Sequence, residues 1–586
     1  MQVIQSDVVI IGGGGAGLRA AIAVAQEAPG LSVALVSKVV PMRSHTVAAE
    51  GGSAGVIHPD DSLDKHFDDT VSGGDWLCEQ DVVEYFVGQC TREMIQLEQW
   101  GCPWSRRDDG SINVRFFGGM KSPRTWFAAD KTGFHILHTL FQTSLQFPAI
   151  RRHDEFFCTD LLVEDGRLQG VLALCIATGE PVLFQCKAAV LATGGASRVF
   201  GQNTNAGIVT GEGMGMAYAQ GVPLRDMEFV QWHPTALPGS GILMTEGCRG
   251  EGGILLNKDG HRYLQDYGLG PLDPWPRPRA MELGPRDRLS QAFWHEDQAG
   301  RTLQTPHGTA VHLDLRHLGE KKIMERLPMI CELARTFAAV DPVTAPIPVR
   351  PAVHYTMGGV LCDVHGATPL PGLYAAGECS SVGIHGANRL GSNSLAELLV
   401  FGRAAGLSAA RHARETHAAS AALQAQAESR AAVHLDMLRR EGGTRVARLR
   451  QRLHEIMEAG VGIVREGPRM ARACEQLAEL REQFRAGVAL DDRGRAFNTE
   501  WLTAIELGHT LQVAEAMAHA ALLRQESRGA HMRIDGFEAR DDERFLCHSL
   551  IHSQGDAPPR VTHSPVTITR SQPRARVYGG AAQNQS

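Results

Sequence analysis

The sequence predicts an α/β protein whose parallel sheet is assembled from segments that lie far apart in the chain. The first segment, SDVVIIGGGGAGLRAAIAVAQEAPGLSVALVSK, reads as a strand, a glycine-rich turn, a helix and a second strand, which is one βαβ unit. Two later apolar runs, AAVLATGG at 188–195 and PGLYAAGECSS at 371–381, read as further buried strands. Because long insertions separate these strands, we expect a discontinuous, Rossmann-like nucleotide-binding domain.

The length and composition exclude several classes of protein. A chain of 586 residues is too long for one hydrophobic core, and 43% hydrophobic with 21% charged residues is typical of a globular protein. The net charge of -7 argues against a dedicated nucleic-acid binder, whose domains are usually basic. No apolar run reaches the length of a transmembrane helix, and a strand begins at Val8 without a signal sequence before it.

Changes in composition divide the chain into four expected domains. Residues 1–233 and 351–410 carry the strands of the Rossmann-like domain and a Gly/Asn/Ser loop that leads into a helix. Residues 234–350 are richer in Gly, Pro and charge, and we expect them to form an inserted α+β domain. Residues 411–548 are rich in Ala, Arg, Glu and Leu, which predicts a helical domain, and the polar tail 549–586 reads as short extended pieces.

The 12 cysteines are scattered, and no two are separated by only two residues. The close-pair pattern of zinc or iron–sulfur ligation is therefore missing, and we predict no metal site. We expect most of these thiols to be reduced and buried as small hydrophobic groups.

A GxGxxG pattern, Gly12, Gly14 and Gly17, lies directly between a strand and a helix. In that context the glycines let the backbone approach a pyrophosphate, and the helix N-terminus favours its negative charge. A tight turn without a ligand is the alternative. About 20 residues further on, where an acidic residue would hold a ribose, the chain has Ser37 and Lys38. This departure weakens an NAD interpretation, although the Ser37 hydroxyl could still bond a ribose.

The stretch PMRSHTVAAEGG, residues 41–52, places one imidazole, His45, between Ser44 and Thr46. A histidine in a loop is more often a structural hydrogen-bonding group than a reagent. From the residues alone, the role of His45 stays open among packing, metal ligation and covalent chemistry.

Several long motifs follow one another in a recognisable order: PMRSHTVAAEGG, GGDWLCEQDVVEYF, HPTALPGSGILMTEGCRGEGG, ELGPRD, HYTMGG and GECSSVGIHGANRLGSNSLAEL. Together they resemble the flavoprotein subunits of the fumarate reductase and succinate dehydrogenase family. The resemblance covers nearly the whole chain, as far as the ESRGAH and RVYGG stretches. It implies that the Rossmann-like domain binds FAD and that the inserted segment is a capping domain, which closes over a dicarboxylate and excludes water.

The resemblance implies that FAD is attached covalently to His45 through the 8α-methyl group. A neutral imidazole is a nucleophile and the activated methyl group is electrophilic, so this bond is chemically reasonable. By the same matching, the expected FAD contacts are Gly12, Gly13, Gly14, Gly15, Ala16, Gly17, Val36, Ser37, Lys38, Ser44, His45, Thr46, Glu50, Gly51, Gly52, Phe156, Phe157, Cys158, Glu212, Tyr355, Glu378, Arg389, Ser394 and Leu395.

The resemblance also implies a site for fumarate or succinate, whose two carboxylates need fixed donors and cations. The expected carboxylate-binding residues are His233, Thr245, His354 and Arg389. The expected catalytic residues are His233, Glu246, Arg249 and Arg286. Arg286 is the expected proton donor, and Glu246 and Arg249 would supply it with protons. Two ordinary alternatives remain: His233 caps a turn before Pro234, and Arg389 binds the carboxyl end of a helix.

The expected function is the reduction of fumarate to succinate in anaerobic respiration. Because FAD is the only redox group that the chain is expected to hold, the resemblance implies an iron–sulfur subunit that delivers electrons. It further implies membrane-anchor subunits that complete a heterotetramer and react with quinol. The chain itself would be peripheral, on the cytoplasmic face of a bacterial inner membrane.

Three alternatives accompany this interpretation. The nearest is the flavoprotein subunit of succinate dehydrogenase, which typically has Gln where this chain has Glu50. L-Aspartate oxidase is a soluble relative that binds FAD non-covalently and lacks the flavin-linking histidine. A flavin-binding scaffold without turnover belongs to a different class, and the presence of every candidate acid, base and carboxylate binder argues against it.

Overall fold

The computed structural model describes residues 1–269, 281–416 and 423–576. Its central element is a five-stranded parallel sheet, whose strands in spatial order are Leu373–Ala375, Ala188–Leu191, Val8–Ile11, Val33–Ser37 and Ile150–Asp154. The apolar runs recognised in the sequence are buried along their whole length, as expected for a parallel sheet that is covered on both faces. The discontinuous α/β fold class is confirmed.

Two helices pack closely against each other and against this sheet. Gly15–Glu27 follows the first strand, and Asn393–Glu415 follows the last strand segment. Gly402 lies so close to the first helix that a Cβ at this position would meet the carbonyl oxygen of Ala16 at 2.7 Å. This close contact brings the N-termini of both helices to the walls of one cavity.

A second sheet extends the Rossmann-like domain. Its strands in spatial order are Gln2–Gln5, Pro181–Gln185, Arg167–Cys175 and Phe156–Glu164. The helix Leu423–Met437 covers one face of this sheet through Leu423, Ala427 and Ala431, which pack on leucines of three strands. The first residue of the long strand, Phe156, lines the cavity.

The inserted segment has its own sheet and its own hydrophobic core. The sheet consists of Val230–Ala236, Ile347–Thr356, Gly308–Asp314 and Ile254–Leu256, with Leu303–Thr305 paired to the third of these strands. The helices are Glu246–Gly250, Arg286–Gln298, Glu320–Arg326 and Pro328–Ala338.

All members of this core lie between Leu237 and Val349, which supports our proposal that 234–350 is a capping domain. Both proposed boundaries fall inside strands that pair with each other. The proline-rich stretch at 270–280 lies outside the described residues.

The C-terminal third is helical and then forms a hairpin. The long helices are Leu423–Met437, Val446–Gly460, Gly467–Ala486 and Thr499–Leu523. In the tail, where the sequence predicts short extended pieces, the strands Cys547–Gln554 and Ala557–Pro565 pair as an antiparallel hairpin with a register shift between His552 and Gln554. The hairpin pairs with Leu224–Arg225, which joins it to Gly359–Leu361 and Ser380–Ser381 in one sheet.

The remaining helices and strands complete the described ranges. The other helices are Leu63–Gly73, Gln80–Gln99, Thr132–Ser144, Glu212–Ala219 and Asp542–Phe545. The other strands are Ser53–Ala54, Val114–Arg115, Thr125–Trp126, Thr444–Arg445, Val464–Arg465, Val488–Ala489 and Met532–Arg533. Across the described ranges, no helix combines the length and the apolar character needed to cross a membrane. Within the expected RVYGG stretch, only Arg576 belongs to the described residues.

Candidate active site

A cavity of about 420 Å³ lies where the two helix N-termini meet the end of the parallel sheet. Most of the residues expected to bind FAD line it: Gly12, Gly13, Gly14, Gly15, Ala16, Val36, Ser37, Lys38, Ser44, His45, Thr46, Glu50, Phe156, Phe157, Cys158, Glu212, Tyr355, Glu378, Ser394 and Leu395. Among the described residues, four other expected contacts do not line the cavity: Gly17, Gly51, Gly52 and Arg389. The chain folds so that segments from positions 12 to 395 share one site.

The glycine-rich turn is shaped for a phosphate group. Gly12 has φ +114°, which favours glycine, and a Cβ on Gly17 would overlap the Gly12 carbonyl oxygen. Gly14 precedes the helix, and the Gly15 N–H donates to Thr46 Oγ1 at 3.1 Å. Backbone N–H groups and the helix dipole at this end of the cavity suit the pyrophosphate of a dinucleotide.

Lys38 is held by two carboxylates at the cavity wall. Its ammonium group lies 2.6 Å from Glu212 and 2.7 Å from Glu506, and it donates to the carbonyl oxygen of Ile208 at 3.0 Å. Although burial opposes the charged form, the two glutamates raise the pKa of Lys38. Lys38 therefore fixes Glu212 in place, and it ties the cavity to the helix that carries Glu506.

His45 faces the cavity as a neutral imidazole. It begins a short 3₁₀ helix, His45–Ala48, and burial together with the nearby Arg198 lowers the pKa of its imidazole to about 4. The Ala206 N–H lies 3.3 Å from its Nδ1 atom, so Nε2 is the nitrogen that remains for a ligand in the cavity.

Two carboxyl groups in the cavity wall have raised pKa values. Burial raises the pKa of Glu378 to about 8, and its Oε1 accepts a hydrogen bond from the Thr356 N–H at 2.9 Å. Burial and the neighbouring Asp130 raise the pKa of Glu50, whose Oε2 has no hydrogen-bond partner among the described residues. Burial therefore favours the protonated form of both groups, in which they can donate a hydrogen bond to a ligand.

A buried polar cluster lies beside the cavity, between the Rossmann-like domain and the inserted segment. Arg286 donates to Glu246 Oε2 through Nε at 2.9 Å and Nη2 at 2.7 Å. Gln231 accepts from two arginines of the cluster on one oxygen, from Arg286 at 3.0 Å and from Arg389 at 3.1 Å. The Gly118 N–H also donates to Glu246 at 2.6 Å. Although burial opposes ionisation, the arginines lower the pKa of Glu246 to about 2.

Several donors of this cluster are buried and have no hydrogen-bond partner in the described part of the chain. They are His233 Nε2, Arg249 Nε and Nη2, and Arg389 Nε. The rings of His233 and His354 are 5.1 Å apart, and burial followed by the charge of Arg286 lowers the pKa of both. Leaving one such donor unsatisfied costs about 1–3 kcal/mol, so this arrangement suits an anionic ligand.

The ordinary alternatives can be compared with these contacts. His233 does cap its turn, because Nδ1 lies 3.3 Å from the Thr235 N–H, but its Nε2 stays unpartnered. Arg389 lies before the start of a helix and not at a carboxyl end, and it donates to Ser394 Oγ at 2.7 Å.

Two residues of this cluster could not be recognised as site residues from the sequence. Gln231 lies two positions before His233 on the same strand and is fully buried. Thr204 Oγ1 lies 2.7 Å from Nδ1 of His354, 150 positions away in the chain. The only available signal was their nearness to recognised motifs.

The glycine turn, the cavity and the parallel sheet define an FAD-binding flavoprotein. Residues 7–395 match the family model described as "FAD binding domain", and residues 450–578 match "Fumarate reductase flavoprotein C-term". The chain is 60% identical over 586 residues to the fumarate reductase flavoprotein subunit of Escherichia coli K12, with 99% of this chain and 97% of that one covered. The chain therefore belongs to the fumarate reductase flavoprotein family.

Two further comparisons agree with this result. The fold matches a solved structure of a variant of E. coli quinol fumarate reductase with a TM-score of 0.96 and 60% identity, covering 99% of both chains. The succinate dehydrogenase flavoprotein subunit of Coxiella burnetii is 40% identical, with 97% of each chain covered. The resemblance in the motifs and the FAD cofactor are confirmed, and the succinate dehydrogenase alternative is the poorer match.

Proposed function

We propose that this chain is the catalytic flavoprotein subunit of a quinol:fumarate reductase, in which fumarate is reduced to succinate. The observation that supports it is the cluster of buried donors without partners, beside a cavity whose lining fits FAD. A dicarboxylate would satisfy the free donors of His233, Arg249 and Arg389. Thr245 and His354 would complete its binding site.

Bound FAD would supply the hydride. Gln231 holds Arg286 and Arg389 together, so Arg389 is fixed to bind a carboxylate while Arg286 faces the same site. Burial, opposed by Glu246, lowers the pKa of Arg249, which makes its proton easier to release than that of an exposed arginine.

Arg286 is the proposed proton donor, and Glu246 would resupply it. The Glu246 carboxylate contacts Arg286 at 2.7 Å and lies 3.9 Å from Arg249, so it connects the two guanidinium groups. Preorganised cations of this kind also stabilise charge that develops on the substrate carboxylate.

His45 is the proposed covalent attachment point for FAD. Its neutral state and its Nε2 atom, which is left for the cavity, support this role. Acid precipitation of the protein should leave flavin bound to the polypeptide, and His45→Ser should release it. Loss of flavin from the wild type under the same conditions would contradict the attachment.

The proposed assembly adds an iron–sulfur subunit and membrane-anchor subunits to form a heterotetramer that takes electrons from quinol. The chain would lie on the cytoplasmic face of a bacterial inner membrane, as a peripheral subunit. Glu50, where the dehydrogenase typically has Gln, favours fumarate reduction as the working direction in anaerobic respiration.

The test is oxidation of reduced viologen by the purified complex when fumarate is added. We expect fumarate-dependent oxidation that exceeds the rate of succinate oxidation. Arg286→Gln should keep its flavin and bind fumarate but lose nearly all turnover, because the side chain can no longer give up a proton. A wild-type complex without fumarate-dependent oxidation would favour the scaffold alternative, and near-normal turnover of Arg286→Gln would refute the proton-donor assignment.

A further inference from the structure

The guanidinium group of Arg389 is held in its own plane by two neutral side chains. Its Nη1 donates to Ser394 Oγ at 2.7 Å, and its Nη2 donates to Gln231 Oε1 at 3.1 Å. Its Nε has no hydrogen-bond partner in the described ranges. Because both partners are neutral, they fix the direction of the group and leave its positive charge for a ligand.

A third contact lies on the face of this group. The guanidinium carbon of Arg389 is 4.4 Å from the centre of the Tyr355 ring, and both side chains are buried. The face of an aromatic ring attracts a cation, and the attraction is stronger where water is excluded. The ring therefore restrains Arg389 perpendicular to the plane in which Ser394 and Gln231 hold it.

The Tyr355 ring is itself anchored at its hydroxyl end. The hydroxyl donates to Glu397 Oε2 and lies 3.2 Å from Nε2 of His385, which is 2.8 Å from the same carboxylate oxygen. Burial and the charge of Glu397 raise the pKa of Tyr355, so the hydroxyl keeps the proton that it donates. The ring cannot turn away from Arg389 without breaking these buried contacts.

A strand pair and a helix bring these groups together. Gln231 and Tyr355 lie directly opposite each other on paired antiparallel strands, so their side chains share one face. Ser394 and Glu397 are three positions apart in the first turn of the helix that follows Arg389, so they also share one face. The helix therefore contacts Arg389 directly through Ser394 and indirectly through the bond between Glu397 and Tyr355.

We propose that Tyr355, anchored by Glu397, is a positioning residue for substrate binding: its ring holds the Arg389 guanidinium in the orientation that meets a carboxylate of the dicarboxylate. This inference rests on the proposed function. The positive charge of Arg286 repels Arg389, so an unsupported guanidinium would turn away. The ring opposes this movement and, unlike a carboxylate partner, leaves the charge of Arg389 available to the substrate.

The experiment changes the ring in the purified complex and measures the dissociation constant of malonate, a dicarboxylate without a C=C bond to reduce, by calorimetry. Position 355 receives phenylalanine, phenylalanine with one, two or three ring fluorines, or leucine. Fluorine withdraws electron density from the ring with little change in shape, so it weakens a cation–π contact and leaves packing nearly unchanged. Total and covalent flavin are measured in each variant, because Tyr355 also lines the cavity that fits FAD.

We expect Tyr355→Phe to bind malonate about two- to fivefold more weakly, because the ring remains but loses its anchor. Each fluorine should weaken binding further, and Tyr355→Leu should weaken it by about ten- to thirtyfold. The KM for fumarate should rise more than kcat falls, because Arg389 acts in binding. A fluorine series without a trend, or wild-type affinity in Tyr355→Leu, would overturn the role of the ring. Wild-type affinity in Tyr355→Phe would overturn the anchoring by Glu397.

Phe229→Leu is the matched control. Phe229 belongs to the same buried apolar cluster as Tyr355, and its ring lies 5.0 Å from the guanidinium carbon of Arg524, which is bonded to Glu228. The control should lower the melting temperature and leave the affinity for malonate unchanged. An equal loss of affinity in the two leucine variants would overturn the proposal, because it would show a general effect of packing. A wild-type complex that binds no malonate would overturn both this proposal and the dicarboxylate site on which it rests.

Discussion

Replacing Gln231 with leucine removes the one oxygen that connects two buried arginines. Gln231 Oε1 accepts from Arg286 at 3.0 Å and from Arg389 at 3.1 Å, and its Nε2 donates to the Arg389 carbonyl oxygen at 2.8 Å. Leucine has a similar size but no acceptor. Without it, two positive groups that already repel each other keep their positions only through their remaining bonds.

The expected loss follows from these contacts. A hydrogen bond to a charged group contributes about 1.5–3 kcal/mol, and two such bonds end on one oxygen. Because bonds that share an acceptor are not additive, we take about 3 kcal/mol, which is about a hundredfold in kcat/KM for fumarate. KM should rise because Arg389 binds a carboxylate less well, and kcat should fall because Arg286 is misplaced.

The assay is steady-state fumarate reduction with reduced viologen, together with total and covalent flavin. Gln80→Leu is the matched control, because Gln80 is also fully buried and bonds backbone groups of the C-terminal tail, including the Ser571 N–H at 3.0 Å. This control should lower thermal stability without raising KM. If Gln231→Leu retains normal flavin and a kcat/KM near that of the wild type, the bridging role of Gln231 is wrong.

Three other changes follow from buried contacts. Lys38→Met leaves two carboxylates without their cation, so we expect a loss of about 3–5 kcal/mol in unfolding free energy and weaker FAD retention. An unchanged melting temperature would contradict this expectation. His548 lies 2.6 Å from Asp226 and 3.1 Å from Glu79, and these carboxylates raise its pKa. Its contribution to stability is therefore complete below the unfolded pKa of about 6.5 and is lost as the pH rises through the folded pKa. The melting temperature of the wild type should therefore fall toward that of His548→Gln as pH rises. A difference in melting temperature that stays constant with pH would contradict this role of His548. Gly17→Ala should abolish FAD binding, measured as bound flavin, because its Cβ would overlap a backbone oxygen.

The elements that depend on local sequence patterns could be predicted from the sequence. The parallel strands, the glycine turn and the long C-terminal helices follow from apolar runs, glycine spacing and helix-forming composition. The tail could be predicted only as short extended pieces, because the pairing of its hairpin with Leu224–Arg225 joins segments more than 300 positions apart in the chain.

The sequence by itself determined the family, the FAD-binding fold and the candidate residues, since these depend on long motifs and on local periodicity. The tertiary structure alone decided how those residues are connected. Lys38 pairs with Glu506 at a separation of 468 positions, and Gln231 joins Arg389 at a separation of 158. Such partners, and the burial that shifts pKa values, arise when distant segments pack together, so no local pattern of residues encodes them.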